Sequence, residues 1–354
     1  MNKIDRRKNR RRAPLTTSAV VVATLFAATG IAACQENAAA RTAFEAAHGS
    51  QHEHFKHPQL ARGVLSVRGT EASEQITLRL RADERETLEV DVDSDGSADF
   101  DFKRRKIATI AVDAGSGDDL VRIDETNGTF TDVIPIALDG GEGNDRIAGG
   151  VGVETLFGGD GNDVIDGNRG NDVAFMGTGD DVFVWDPGDG SDVVEGENGA
   201  DTMLFNGAAV AEQVDASANG SRLRFFRNPG GVTMDTDGVE RVDFNALGGS
   251  DDVTINDLSA TDVDTMNLDL GVSGVGDGQA DRIVVNGTNG DDTIDVSGDA
   301  NSLKVNGLTL TQLLHAEVAN DRLDVNTLAG TDTVASGGLT AGAIQLFVDG
   351  VFVP

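Results

Sequence analysis

The chain has 354 residues, 60 acidic against 28 basic, for a formal net charge of −32. That balance argues against nucleic acid, whose phosphates must be met by Lys and Arg, and against an anionic membrane surface as a direct partner. Gly numbers 45, with one Trp and no Tyr, a composition that disfavours a helical bundle and favours many short strands joined by tight turns.

Lys3, Arg6, Arg7, Lys8, Arg10, Arg11 and Arg12 form a basic head, and no charge follows from Ala13 to Ala33. This is the pattern of a secretory signal. It stops at Ile31-Ala32-Ala33-Cys34, which resembles the lipobox of bacterial lipoproteins, where the Cys becomes the lipidated first residue. Cys34 is the single Cys of the chain. An ordinary cleaved signal peptide and a retained anchor are the other readings of residues 1–34, and all three put the body of the protein outside the cytoplasm. One Cys allows no internal disulfide. Loss of the basic head would leave the remainder more acidic still, and such a chain repels itself unless a counter-charge is built in.

Residues 35–62 lack strand or sustained helix periodicity and read as a flexible tether. His48, His52, His54 and His57 fall within it. Imidazoles so clustered suit a small transition-metal site, but a flexible tether with His as a soluble filler is the favoured reading. Lys56 stands where HExxH would need its second His.

Residues 63–139 alternate apolar and polar residues at period two in LSVRG, QITLRLR, LEVDVD and IATIAVD, the mark of strands. Asp91, Asp93 and Asp95 resemble the opening of an EF-hand calcium loop. Phe102, however, holds the place of the bidentate Glu, and the flanks are strands. A Ser-Asp-Gly hairpin turn explains the same residues.

Repeats organise the rest. DRIVVNGTNGDDTIDV from Asp281 recurs as DRLDVNTLAGTDTVAS from Asp321, and ERVDFNALGGSDDVTI from Glu240 is the same unit with one residue inserted. Looser copies start at Val64 and Ile110. Each is a strand, a Gly-containing turn ending in an acid (Glu74, Asp119, Asp252, Asp292, Asp332), and a second strand. Stacked coils of a β-solenoid require such a unit; a β-sandwich with similar hairpins is the alternative. Residues 205–354 are therefore expected to form solenoid repeats of about 40 residues.

Between these flanks, over 140–204, the chain keeps a nine-residue register: GGEGNDRIA, GGVGVETLF, GGDGNDVID, GNRGNDVAF, MGTGDDVFV, then a longer turn and GENGADTML. The sixth places are Asp145, Glu154, Asp163, Asp172, Asp181, Asp192 and Asp201. The eighth places, Ile147, Leu156, Ile165, Ala174, Phe183, Val194 and Met203, are apolar or small.

This stretch resembles the RTX nonapeptide repeat, GGxGxDxUx with U apolar, of secreted calcium-binding proteins. The resemblance implies an all-β fold, a parallel β-roll or β-solenoid with calcium turns flanked by β-strand repeats, in which two nonads make one coil. It implies calcium between stacked turns, with Asp145, Asp163 and Asp181 on one edge, Glu154 and Asp172 on the other, and Asp192 and Asp201 extending those rows. It also draws in the turn residues Gly141, Gly143, Asn144, Gly159, Gly161 and Asn162. The residues themselves agree: calcium takes six to eight oxygens in irregular geometry, and glycines let turns offer carbonyl oxygens without a side-chain clash. Departures are Glu154 for Asp, Asn168 at a Gly place and Met176 opening its nonad.

No GxSxG is present, and outside the tether the sole His is His315, so no catalytic constellation is recognisable. Basic groups cluster at Lys103–Lys106 and at Arg222, Arg224 and Arg227. A calcium-dependent β-helical polysaccharide lyase is the enzymatic alternative. The favoured reading is an exported, lipid-anchored calcium-binding roll with a structural or adhesive role, partnered by cell-surface polysaccharide or another surface protein.

Overall fold

The alternation of apolar residues at period two cannot be buried by isolated strands, and the chain solves this by winding. The structure, a computed structural model, describes residues 56–354. Successive strands fall in turn into two large sheets, one of fifteen strands and one of fourteen, with a small third sheet of two. In the first, Val64–Thr70, Thr109–Ser116, Ile136–Glu142, Glu154–Asp160, Val173–Thr178 and Val193–Asn198 lie side by side and parallel. In the second, Gln75–Leu80, Leu120–Asp124, Arg146–Ala148, Val164–Asp166, Val182–Trp185 and Thr202–Asn206 do the same. The roll is right for this sequence because each coil presents a new parallel partner, so backbone groups pair from coil to coil while alternate side chains turn inward.

Register follows the nonads. Thr155 pairs with Val173 and Val164 with Val182, so two nonads make one coil. The eighth-place side chains Ile147, Leu156, Ile165, Ala174, Phe183, Val194 and Met203 are all buried between the sheets. Beyond them Trp185 stacks on Phe205, ring centroids 4.0 Å apart, and Phe205 packs on Phe225 and Phe244. Burying a large apolar side chain there contributes about 1.5–3 kcal/mol, which is how the roll holds with no disulfide.

Three antiparallel meanders interrupt the winding. Gln75–Leu80, Thr87–Asp91 and Phe100–Lys103 close one end of the second sheet. Val232–Asp237, Arg222–Arg227 and Gln213–Asn219 are inserted in the first. Leu310–Leu314, Ser302–Asn306 and Thr293–Asp299 are inserted in the second. At period two a hairpin strand and a coil strand look alike, so sequence periodicity does not separate them.

The boundaries expected at 139/140 and 204/205 fall inside strands: Ile136–Glu142 spans the first and Thr202–Asn206 the second. The tether expected over 35–62 ends instead in a strand, Lys56–Ala61, antiparallel to Val64–Thr70. His57 meets Phe100 edge to face at 5.1 Å; His48, His52, His54 and Cys34 lie outside the described residues. The repeats from Asp281 and Asp321 do stack, Arg282 on Arg322 and Thr293 on Thr333. The unit from Glu240 is half a coil out of phase, its ERVDFN strand lying in the second sheet beside Thr202–Asn206 while DRIVVN lies in the first.

Candidate calcium site

The turns joining the two sheets carry the acids, and stacking turns every coil stacks the acids. The structure puts Asp145, Asp163, Asp181 and Asp201 in one row, each member joined to the next. The backbone N–H of Asp145 donates to Oδ1 of Asp163 at 2.8 Å, that of Asp163 to Asp181 at 2.7 Å, and that of Asp181 to Asp201 at 2.9 Å. Glu154, Asp172 and Asp192 form the second row in the same way, at 2.7 and 2.8 Å. All seven side chains are buried, at most 2% exposed.

Each of these carboxylates uses one oxygen in that bond or in a turn contact and leaves the other without a partner. Oδ2 of Asp145, Asp163, Asp172, Asp181, Asp192 and Asp201 and Oε1 of Glu154 are buried and unpaired. An unpaired buried polar atom normally costs 1–3 kcal/mol, and more when charged. A whole row of them is a donor set of the kind a cation takes.

The glycines complete it. A Cβ at Gly140 would lie 2.3 Å from Asp145 Oδ2 and 2.7 Å from the carbonyl of Gly158; at Gly158 it would lie 2.5 Å from Asp163 Oδ2 and 2.2 Å from the carbonyl of Met176. Carboxylate and carbonyl oxygens thus converge on Gly140 and Gly158, where a side chain cannot fit, whereas Met176, at the same place of its nonad, buries its side chain in the core. Gly141, Gly143, Gly159 and Gly161 all have positive φ, and Cβ atoms at Gly159 and Gly161 would meet the carbonyl oxygens of Gly141 and Gly143 at 1.9 and 2.0 Å. Asn168 takes the left-handed conformation at its Gly place, with φ 56°. Glu154 joins the row through its backbone N–H, which donates to Asp172 Oδ1, while its longer side chain turns back on its own turn, Oε2 accepting the N–H of Gly150.

Asn144 and Asn162 have a different task from the acids beside them. Oδ1 of Asn144 accepts the N–H of Asn162, and Oδ1 of Asn162 that of Asp180, both at 2.9 Å. These exposed side chains stitch coils in the opposite direction to the acids and spend their oxygens doing so.

Sequence reasoning stopped the first row too early. The N–H of Asp119 donates to Asp145 Oδ1, that of Glu74 to Asp119 Oδ1, and that of Asp201 to Glu240 Oε2. Glu74 and Asp119 were visible as acids closing their turns; Glu240 opens a repeat and gave no such signal. Where Asp252 was expected to close a turn, Asp251 is the buried residue, and Asp252 faces Arg282 at 3.6 Å.

Comparison with known families matches four copies of the RTX calcium-binding nonapeptide repeat, over residues 138–153, 148–183 and 188–207. The chain carries RTX calcium-binding repeats. No curated protein matches the sequence. The carboxylate ladder lies within and alongside these repeats, which are calcium-binding, in a β-roll. The donor set fits: hard oxygens, mixed carboxylate and carbonyl, in flexible turns.

Electrostatics in the metal-free RTX rows agree with that fit. Burial, opposed by the row hydrogen bonds, raises Asp145 and Asp181 to about 6 and Asp163 and Asp201 to about 7. Burial raises Asp192 to about 7, Glu154 to about 7 and Asp172 to about 10, neighbouring acids adding to the last. Without a cation these groups resist ionising; with one they do not.

Among the described residues, three carboxylate oxygens come within 4.8 Å of one another only at Asp91, Asp93 and Asp99, away from the RTX rows. A count of carboxylates alone overlooks the rows, where carbonyls complete the set. At the Asp91 turn the Arg79 guanidinium, 2.6 Å from Asp91, already supplies positive charge. Asp95, third in the EF-hand-like spacing, caps its own turn by accepting the N–H of Ser97 at 2.7 Å. The hairpin reading of this segment describes its geometry: strands Thr87–Asp91 and Phe100–Lys103 pair antiparallel.

Proposed function

We propose that this calcium-binding β-roll is an exported surface protein, held by lipid at Cys34, that stiffens when it meets extracellular calcium and acts structurally or adhesively. The carrying observation is the pair of carboxylate rows whose second oxygens are buried and unpaired. At cytosolic calcium those rows repel. At the roughly 10⁻⁴–10⁻³ M range used by extracellular modules they close on the ion. The charged N-terminal head and apolar run ending at Cys34 supply the export and anchoring half of the reading. No helix among the described residues is long and apolar enough to cross a membrane.

A non-enzymatic role is supported by how the basic residues are spent. Arg222 pairs with Glu195 and Asp235, Arg224 with Asp215, and Arg227 with Glu212. His315 is engaged by Asp269 at 2.7 Å. Exposed strands of the acidic roll are then left to meet a surface polysaccharide or another surface protein.

The experiment is a calcium titration of the mature chain followed by circular dichroism, with magnesium as control. A cooperative gain of β signal with calcium and none with magnesium is the expected result. An identical spectrum and identical thermal stability with and without calcium would overturn calcium-driven stiffening.

A further inference from the structure

The ladder recurs in the C-terminal half, beyond the residues matched by the RTX repeats. The N–H of Glu212 donates to Asp251 Oδ1 at 2.8 Å, that of Asp251 to Asp281 Oδ1 at 2.9 Å, and that of Asp281 to Asp321 Oδ1 at 3.1 Å. All four side chains are at most 2% exposed. The spacing along the chain is irregular, because meanders and long loops separate the coils, so no nonapeptide pattern marks them.

The two ends of this row are held by groups that the middle lacks: a guanidinium at one end and a second backbone N–H at the other. Glu212 Oε1 is held by the buried Arg227, whose Nε lies 2.7 Å away. Asp321 Oδ2 accepts the N–H of Glu317 at 2.6 Å. Asp251 Oδ2 and Asp281 Oδ2 are buried with no hydrogen-bond partner, as is the second oxygen of Glu212, Oε2, beside its arginine. Among the described residues no arginine or lysine forms an ion pair with either; Arg227 acts on Asp251 only at longer range, and the charged groups acting on Asp281 are the acids Asp321, Asp251 and Asp277. Asp277, half-buried, comes from the loop that follows the short hairpin Gly271–Val272/Val275–Gly276 and is tied to the row's turn, its Oδ2 accepting the N–H of Gly249 at 3.1 Å.

We propose that Asp251 and Asp281 hold a divalent cation, calcium, at a site in the C-terminal half that the RTX repeats do not include, with Asp277 adding negative charge from outside the ligand shell. The physical argument is charge. Two adjacent buried carboxylates cannot both ionise without a counter-ion, and burying an unpaired charge costs several kcal/mol. At Glu212 the chain inserted an arginine to meet that cost. Between Asp251 and Asp281 it inserted none and brought a further acid instead. A site made only for hydrogen bonding would have used Asn, as the exposed stitch of Asn144 and Asn162 does. The chemistry is that of a hard cation with oxygen ligands.

The inference rests on the reading that the same ladder binds calcium in the RTX block, and the test separates the two. Calcium bound per chain is measured by equilibrium dialysis on the mature protein for the wild type, Asp163→Asn/Asp181→Asn and Asp251→Asn/Asp281→Asn, with circular dichroism to follow folding. Asn keeps the oxygen that accepts the row hydrogen bond and removes the charge. The C-terminal variant is expected to lose calcium while retaining that of the RTX block, and the RTX variant to show the converse loss. Unchanged calcium content and affinity in Asp251→Asn/Asp281→Asn overturns the C-terminal site. Unchanged content in Asp163→Asn/Asp181→Asn instead overturns the RTX assignment. Should the C-terminal double variant fail to fold, Asp277→Asn, which leaves the row intact, decides: a weakening of one class of calcium site by roughly tenfold or more is expected, and wild-type binding overturns the proposal.

Discussion

Asp145 and Asp163 stand one coil apart, and the backbone N–H of the first donates to Oδ1 of the second at 2.8 Å while Oδ2 of each is buried without a partner. One oxygen builds the roll, and the proposed function gives the other to calcium. This division makes the sign of a mutation depend on the ion. In chelator, Asp163→Asn keeps the row bond and removes a buried charge, so it is expected to stabilise the roll by about 1–3 kcal/mol. In saturating calcium the same change removes a ligand and should lower the melting temperature below that of the wild type. Thermal melts of both proteins with chelator and with calcium check it; a variant less stable than wild type under both conditions would refute the division.

The raised carboxyls set a pH window. An unfolded Asp titrates near 3.9, whereas burial holds Asp145 and Asp181 at about 6 and Asp163 and Asp201 at about 7 in the metal-free fold. The folded state therefore binds more protons than the unfolded one between these limits. The stability these groups contribute is fully present below about pH 4 and is lost as pH rises through 6–7. Calcium competes with those protons, so its affinity should rise over the same interval. Calorimetric titrations at pH 5, 6, 7 and 8 test this; affinity independent of pH would show that the rows are ionised before the ion arrives.

How much of this could be read from residues alone depended on the turn. Where Gly and Asp recur every nine residues, backbone conformation and charge are both constrained, and the sequence alone places Asp145 through Asp201 in two rows. Outside that block the acid is kept but the interval is not. Asp251, Asp281 and Asp321 are separated by loops and strands of unequal length, and a neighbour such as Asp252 looks identical in sequence while facing outward. The meanders were likewise hidden: Arg222–Arg227 alternates like any coil strand, and only its antiparallel pairing to Gln213–Asn219 and Val232–Asp237 distinguishes it.

Gly159 tests the packing of the turns independently of charge. Its φ is 120°, and a Cβ there would sit 1.9 Å from the carbonyl oxygen of Gly141. Gly159→Ala should cost about 2–4 kcal/mol, since backbone has to move on both coils. Gly220, φ 71° with open space around it, is the control: there only the left-handed strain of about 1–2 kcal/mol applies. Urea denaturation in calcium ranks the two, and equal losses would mean that the carbonyl stack is not tight.

Arg227 shows the alternative to a metal ion. It is buried against Glu212, its guanidinium also lies 5.3 Å from the Trp185 ring, and Nη1 donates to the carbonyl of Pro229 at 3.0 Å. Arg227→Met leaves Glu212 buried with its charge uncompensated, which should cost about 3–5 kcal/mol. Adding Glu212→Gln removes that charge and should recover most of the loss, because what destabilises is the stranded carboxylate and not the missing arginine. Denaturation of the two single variants and the double forms the cycle. If calcium alone also rescues Arg227→Met, without the second substitution, then the ion and the guanidinium are interchangeable counter-charges for one ladder. If neither calcium nor Glu212→Gln rescues it, the arginine's packing on Trp185 is what the fold requires.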